Sequence, residues 1–265
     1  MTHVDHGPAA GLLMTARKSG TLFVTLNRPQ HANSLNEQLM GELQTLWKQT
    51  ADDKDLRCIV ITGSGRFFCA GADAKMLASA RTAVGATAAE ELAFLPGDHV
   101  DVPVIVAVNG TCAGGGLHFV ADADIVVAGE SASFLDPHVS IGQVSGIEPI
   151  ELMSTMRRDA VIRMALLGTH EKLSAAAAHK AGLVSEVVPD ADLLERAGEL
   201  AAQIATGSPE AIRLTRRAYR SYINEQQREH LDLGWRMVQE HWAHSDSKEG
   251  PTAFSEKREP RWSNR

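Results

Sequence analysis

The chain has 265 residues, 44% of them apolar and 22% charged, with a net charge of −7. That length and balance suit one large soluble domain with an appendage at most. They give no basic face for nucleic acid, although the chain ends on a local basic cluster, "EKREPRWSNR". The three cysteines, Cys58, Cys69 and Cys112, form no CxxC pair and sit in apolar surroundings, so a reducing compartment is expected. No signal-peptide pattern and no run of membrane-spanning length are read, so the expected location is cytoplasmic, with no membrane partner.

In chain order, "GLLMTARKSGTLFVTLNRP" predicts two strands joined at Ser19-Gly20, the second ended by Pro29. In "NSLNEQLMGELQTLWKQTADD", Leu35, Leu39, Leu43, Leu46 and Trp47 recur at helical spacing, with Asn33 or Ser34 as cap. "LRCIVITGSG", "VPVIVAVNG" and "ADIVVAGE" predict buried strands of a sheet covered on both faces. Residues 78–101 read as a loop or short helix. Beyond Ile147 the strands thin out, and "PDADLLERAGELAAQIAT", "SPEAIRLTRRAYRSYINEQQ" and "REHLDLGWRMVQEHWAHSD" predict three helices, with Pro209 at a helix start. The expected division is an α/β core over 1–200 and a helical segment over 201–265. No internal sequence repeat is evident.

Two strand-to-helix junctions carry the chemistry. "AVNGTCAGGGLHFV" sets three glycines between a strand and a helix, and "GSGRFFCAGADAKML" places Ala70-Gly71-Ala72-Asp73 in the same situation. Glycine lets the backbone approach a ligand, and the first amides of a helix lack partners. Two such turns can aim two N–H groups at one developing oxyanion. Nucleotide-binding fingerprints are missing: there is no GxxxxGK[ST] and no complete GxGxxG. Cys69 and Cys112, beside these turns, read as core fillers.

At these residues the chain resembles the crotonase family, the enoyl-CoA hydratase/isomerase superfamily. The resemblance runs through "VTLNRPQHANSL", "IVITGSGRFFCAGADAKML", "PVIVAVNGTCAGGGL", "ADADIVVAGESASFLDP", "AAAHKAGLVSEVVP" and "SKEGPTAFSEKR". It implies an α/β fold built as a ββα spiral, with a C-terminal helical segment that makes a homotrimer or homohexamer. It implies an acyl-coenzyme A (CoA) thioester as substrate and no cofactor beyond that CoA. By motif position the oxyanion amides would be Ala70 and Gly115. The resemblance places CoA near His31, Ala32, Ala70, Asp73 and Ala74, with Phe254 and Lys257 reaching it, frequently from a neighbouring subunit. Residues 78–101 would line the acyl pocket, and the small residues Ala78, Ser79, Ala80, Ala83, Gly85 and Ala86 would leave it room.

The chain departs from the family at two positions. Where hydratases of the family carry two glutamates, it has His118 and His138. Two imidazoles can titrate near neutral pH, but as acid and base they would have to hold different protonation states at short range. The substitution therefore predicts altered chemistry. Glu148, ten residues after His138, could orient that ring as the acid of a triad does. Asp136 is a further candidate, or a turn former before Pro137. The expected catalytic group is His118, His138 and Glu148, with no metal, since the two histidines lack an evident third ligand. Hydrolysis of the acyl-CoA, or retro-Claisen cleavage of a carbon–carbon bond, is the alternative reaction, and acyl-CoA binding without catalysis a second alternative. His241 and His244 read as surface or interface residues.

Overall fold

A computed structural model of the chain describes residues 11–73, 76, 87–97 and 99–263. The predicted hairpin is β1 (Leu13–Lys18) and β2 (Thr21–Leu26). Its two-residue turn has positive φ at both Ser19 (49°) and Gly20 (78°), the twist that suits a tight antiparallel pair. Helix α1 (Glu37–Thr50) buries Leu39, Leu43 and Trp47. Its cap is Asn36, whose side chain accepts from the Leu39 amide at 2.9 Å. The expected caps are used elsewhere: Asn33 bonds the Ser64 and Phe67 carbonyls, and Ser34 meets Arg28 and Asp73.

The next strands come in pairs. β3 (Cys58–Gly63), β5 (Val104–Val108) and β7 (Ile125–Gly129) are each followed within a few residues by a short strand: β4 (Phe67–Cys69), β6 (Thr111–Ala113) and β8 (Ser133–Leu135). The long strands enter one sheet of order β1-β2-β3-β5-β7-β10, where β10 is Glu186–Val188. The short ones enter a second sheet of order β4-β6-β8-β9, where β9 is Leu173–Ser174. Each pair thus adds one strand to each sheet in parallel register, which is the ββα spiral. The period lies in topology and not in residue identity.

The apolar runs are explained by two-sided cover. Leu26, Ile59, Ile61, Val104, Val106 and Phe68 join the main core. Cys58, Val60, Ile105, Ala107 and Val127 face the other way, onto Leu193, Ala197 and Ala201 of α7 (Leu193–Ala205). Fully burying a side chain of this size contributes about 1.5–3 kcal/mol. The three cysteines are buried, and Cys69 pairs in register with Cys112; burial pushes the Cys58 and Cys69 thiols up to about 12.

Among the described residues the further α-helices are α2 (Ala88–Glu91), α3 (Leu117–Asp122), α4 (Glu148–Leu152), α5 (Arg158–Leu167), α6 (Ala175–Ala181), α8 (Pro209–His241) and α9 (Asp246–Glu256). The last two predicted helical patterns before residue 245 are one element, α8, of 33 residues. No proline or glycine interrupts it between Glu210 and Leu233. The helix runs on through Gly234, where a side chain is excluded because a Cβ would collide with the Gly146 carbonyl. Pro209 occupies the first helical turn, as expected. Among the described residues no helix is long and apolar enough to cross a membrane.

Candidate functional site

The loops leaving β4 and β6 meet. A single parallel bridge links Leu35 to Ala72: Leu35 donates to the Gly71 carbonyl and Asp73 donates to Leu35, each at 2.8 Å. Gly71 has φ 89°, and a Cβ there would sit 2.9 Å from the Ala113 carbonyl and 3.0 Å from the Gly115 nitrogen. Only glycine allows this approach.

The contact reassigns one expected donor. The Ala70 amide does not point into the cavity; it donates to the Ala32 carbonyl at 3.0 Å. Ala32 is held left-handed (φ 50°) at the end of a 3-10 turn over Pro29–His31, which turns its carbonyl toward Ala70. The amide of Ala72 takes no part in the Leu35 bridge, and Ala72 lines the cavity together with Gly115. A Cβ on Gly115 would lie 3.7 Å from the Ala72 nitrogen. Gly115 is the second residue of a 3-10 turn over Gly114–Gly116, ahead of its first bond, Leu117 to Gly114. Ala72 and Gly115 therefore stand beside one another on the cavity wall, at adjacent turns, while the Ala70 amide is already used.

The cavity has a volume of about 540 Å³. Leu92, Phe94, Ile147, Trp235 and Trp242 supply apolar wall; His118, His138 and Glu148 supply its titratable groups, with Glu91 and Lys248 also on the lining. His118 projects from α3, directly after the glycines. His138 opens a 3-10 turn after β8, and Glu148 is the first residue of α4. The Glu148 Oε1 atom lies 3.3 Å from His118 Nε2 and 3.5 Å from His138 Nε2. The three residues expected to act together are thus side by side.

Each ring has a second carboxylate behind it. His118 Nδ1 lies 2.5 Å from Glu151 Oε2, and His138 Nδ1 lies 2.6 Å from Asp136 Oδ1. Asp136 is 1% exposed; it also accepts from the His138 amide and the Ser145 hydroxyl. Both readings of Asp136, turn former and partner of the ring, hold together. Glu151 is the group that sequence reasoning missed. Its signal is the three-residue spacing in "EPIE", which puts two carboxylates on one face of a helix.

Burial opposes charge on both rings, but the carboxylates outweigh it. Against burial, Glu151 and Glu148 hold His118 well above the ordinary imidazole value. His138 is raised to about 9: burial opposes this, and Glu148 and Asp136 overcome it. Burial pushes Glu148 up, but the two imidazoles more than reverse this and hold its carboxyl well below the usual range. Burial raises Glu151, with His118 pulling back. His118, His138, Glu148 and Glu151 interact closely enough to titrate as a set, not singly.

Asp136, His138 and Glu148 stand close enough to offer three atoms to a divalent ion. The donor set fits one poorly. Asp136 already receives His138 and Ser145, and Glu148 sits against both rings, so an ion would displace bonds already made.

The expected CoA segments also converge. Asp73 receives Arg28 Nη2 at 3.1 Å and lies 3.4 Å from Ser34 Oγ, tying the loop that carries His31 and Ala32 to the loop at 70–73. Ala74 and the small residues at 78–86 lie outside the described residues, as does the Phe254 side chain. Lys257 follows α9, exposed, and is not on the cavity lining; α9 reaches the cavity through Ser247, Lys248, Pro251 and Thr252 of the same chain. His241, at the end of α8, has its Nε2 2.9 Å from the Gly142 carbonyl, and its ring stacks on His244.

Comparison with known proteins agrees with this architecture. Residues 16–265 match the family model described as enoyl-CoA hydratase/isomerase. A probable mitochondrial enoyl-CoA hydratase of Dictyostelium discoideum is 35% identical over 95% of the chain and 90% of its own length. The enoyl-CoA hydratase EchA19 of Mycobacterium tuberculosis is 33% identical over the whole of both chains. The crystal structure of a carnitinyl-CoA hydratase from Mycobacterium avium superposes with a TM-score of 0.85, at 30% identity, over 97% of this chain and all of that one. The chain belongs to the enoyl-CoA hydratase/isomerase family.

Proposed function

We propose that the protein adds water to, or eliminates it from, an acyl-CoA thioester, with His118, Glu148 and His138 moving the protons. The thioester carbonyl would lie between the amides of Ala72 and Gly115, and the CoA along His31, Ala32 and the loop at 70–74. The observation that carries this reading is one carboxylate oxygen shared by two ring nitrogens on the wall beside those amides. Relatives named as enoyl-CoA hydratases and a structural neighbour named as a carnitinyl-CoA hydratase support a hydro-lyase.

Elimination breaks the Cα–H and Cβ–O bonds and leaves the conjugated enoyl thioester and water. One imidazolium gives its proton to the departing oxygen and is left neutral, and the Glu148 carboxylate takes the Cα proton, so the array loses one proton and gains one. The negative charge that develops on the carbonyl oxygen is met by the two amides, each worth about 3–4 kcal/mol in such a hole. Hydration runs the same steps backwards. No cofactor is required beyond the CoA of the substrate. A site that only bound the thioester would need the amides and not five buried or half-buried titratable groups.

Hydrolysis is the second reading. The Asp136–His138 pair, 2.6 Å apart, is the arrangement that orients an imidazole as a base toward water. One experiment separates the readings: a panel of 2-enoyl- and 3-hydroxyacyl-CoA esters, followed both by absorbance of the conjugated thioester and by release of free thiol. Absorbance change without thiol supports hydration. Thiol release means hydrolysis, and tight binding with neither signal leaves a binding protein.

The assembly we propose is a homotrimer or a dimer of trimers. Exposed Tyr222, Leu233 and Met237 on α8 are apolar surface suited to a second copy. Light scattering in solution tests it.

A further inference from the structure

We propose that Glu151 is the positioning residue of His118, fixing the ring so that Nδ1 faces away from the cavity and Nε2 serves the substrate. The inference rests on the reading above and deepens it.

Two carboxylates on successive turns of α4 grip one ring. Glu148 meets Nε2 at 3.3 Å and Glu151 meets Nδ1 at 2.5 Å. Only the first lines the cavity; Glu151 stands behind the ring, buried, with its side chain 10% exposed. Asp136 stands in the same relation to His138. The order Asp136–His138–Glu148–His118–Glu151 is a continuous line of five groups, and only its middle three reach the cavity.

The position of Glu151 is itself fixed. Gln227 of α8 donates to the carbonyls of Ile150 and Glu151, each at 3.2 Å, so the long helix holds α4 against α3. Phe94 closes the edge of the His118 ring at a centroid separation of 6.3 Å. The charged groups around His118 are Glu148 and Glu151 from α4 and His138 from the turn after β8. Asp122 also acts on Glu151 from the end of α3, and it is paired with Arg220 of α8. Of these, Glu151 makes the shortest contact, and its charge raises His118.

A ring held this way keeps one tautomer when neutral and stays a proton donor toward the cavity when charged. An opposite charge this close typically moves a titration by about one to three pH units. Removing the charge while keeping the acceptor should therefore lower the His118 midpoint.

The test uses Glu151→Gln and Glu151→Asp in the full-length protein. His118 is followed by NMR of labelled imidazoles, identified by the signal lost in His118→Asn, and kcat and KM are measured against pH. In E151Q the His118 midpoint falls by about one pH unit or more, and the alkaline limb of kcat moves down by the same amount. KM stays within about two-fold, and E151D returns both readouts toward the wild-type values. An unchanged His118 midpoint in E151Q overturns the inference. So does a loss of kcat by one factor at every pH in both variants. The NMR readout needs no turnover: if no thioester reacts but the His118 midpoint shifts, the proposed reaction fails and the positioning role stands.

Discussion

His118 and His138 share one carboxylate oxygen: Glu148 Oε1 lies 3.3 Å from one Nε2 and 3.5 Å from the other. Two rings from different elements, α3 and the turn after β8, are thereby joined across the cavity wall. The two positions that depart from the family pattern form one device.

Glu148 is the joint of that device. Glu148→Gln keeps the size and removes the charge that both rings face. The expected result is a fall in kcat of about 10²–10⁴-fold, the usual contribution of a general acid–base group, with KM for the CoA ester little changed. Steady-state kinetics check it. A KM effect alone would make Glu148 a binding residue.

Gly71 holds the two amide turns together. Gly71→Ala places a Cβ 2.9 Å from the Ala113 carbonyl and 3.0 Å from the Gly115 nitrogen, at φ 89°. One turn must shift, and one amide leaves its position. The expected loss is about 10²-fold or more in kcat, with about 1–3 kcal/mol of stability from the left-handed backbone. Kinetics and denaturant unfolding on the same variant measure both.

The link between the two CoA-side loops predicts a different signature. Arg28 and Asp73 are mostly buried, at 9% and 16% side-chain exposure. Asp73→Asn removes the charge pairing there, at a cost of about 1.5–3 kcal/mol for a charged hydrogen bond. KM for the CoA ester should rise about ten-fold while kcat changes less. Equal losses of both parameters would place Asp73 closer to the chemistry.

Stability should depend on pH through the same array. His138 is raised in the folded protein from 6.5 to about 9. Its contribution is fully present below pH 6.5 and is lost as pH rises through about 9. Glu148 is lowered, so its contribution is present above its ordinary value of 4.5 and is lost as pH falls through the depressed folded value. The two describe one interaction and are counted once. The free energy of unfolding should therefore fall between pH 6.5 and 9, and His138→Asn should flatten that decline. A wild-type slope retained in the variant would locate the dependence elsewhere.

Much of the fold and part of the site are legible in the residues themselves. Ser19-Gly20 marks a turn that needs left-handed backbone, and the runs around Ile59, Ile105 and Val126 announce strands covered on both faces. His118 and His138 stand out because imidazoles replace carboxylates at motif positions. What side-chain patterns do not encode is the direction of a main-chain N–H. Ala70 and Ala72 are identical residues two positions apart, and only the left-handed Ala32 decides which amide is already used. Asn36 takes the place of the expected cap because Asn33 and Ser34 are committed to the loops on either side. Glu151 is unremarkable as a residue; its meaning comes from a ring 33 positions earlier in the chain. The two helical patterns fuse into α8 because a polar stretch at Gln226-Gln227 carries no helix breaker.

The most direct test is a crystal structure with a bound acyl-CoA thioester or a non-hydrolysable analogue. The carbonyl oxygen should lie within about 3 Å of the amide nitrogens of Ala72 and Gly115, with Cα and Cβ facing the Nε2 atoms of His118 and His138. A carbonyl bound elsewhere, or an acyl chain that runs away from both rings, would contradict the account.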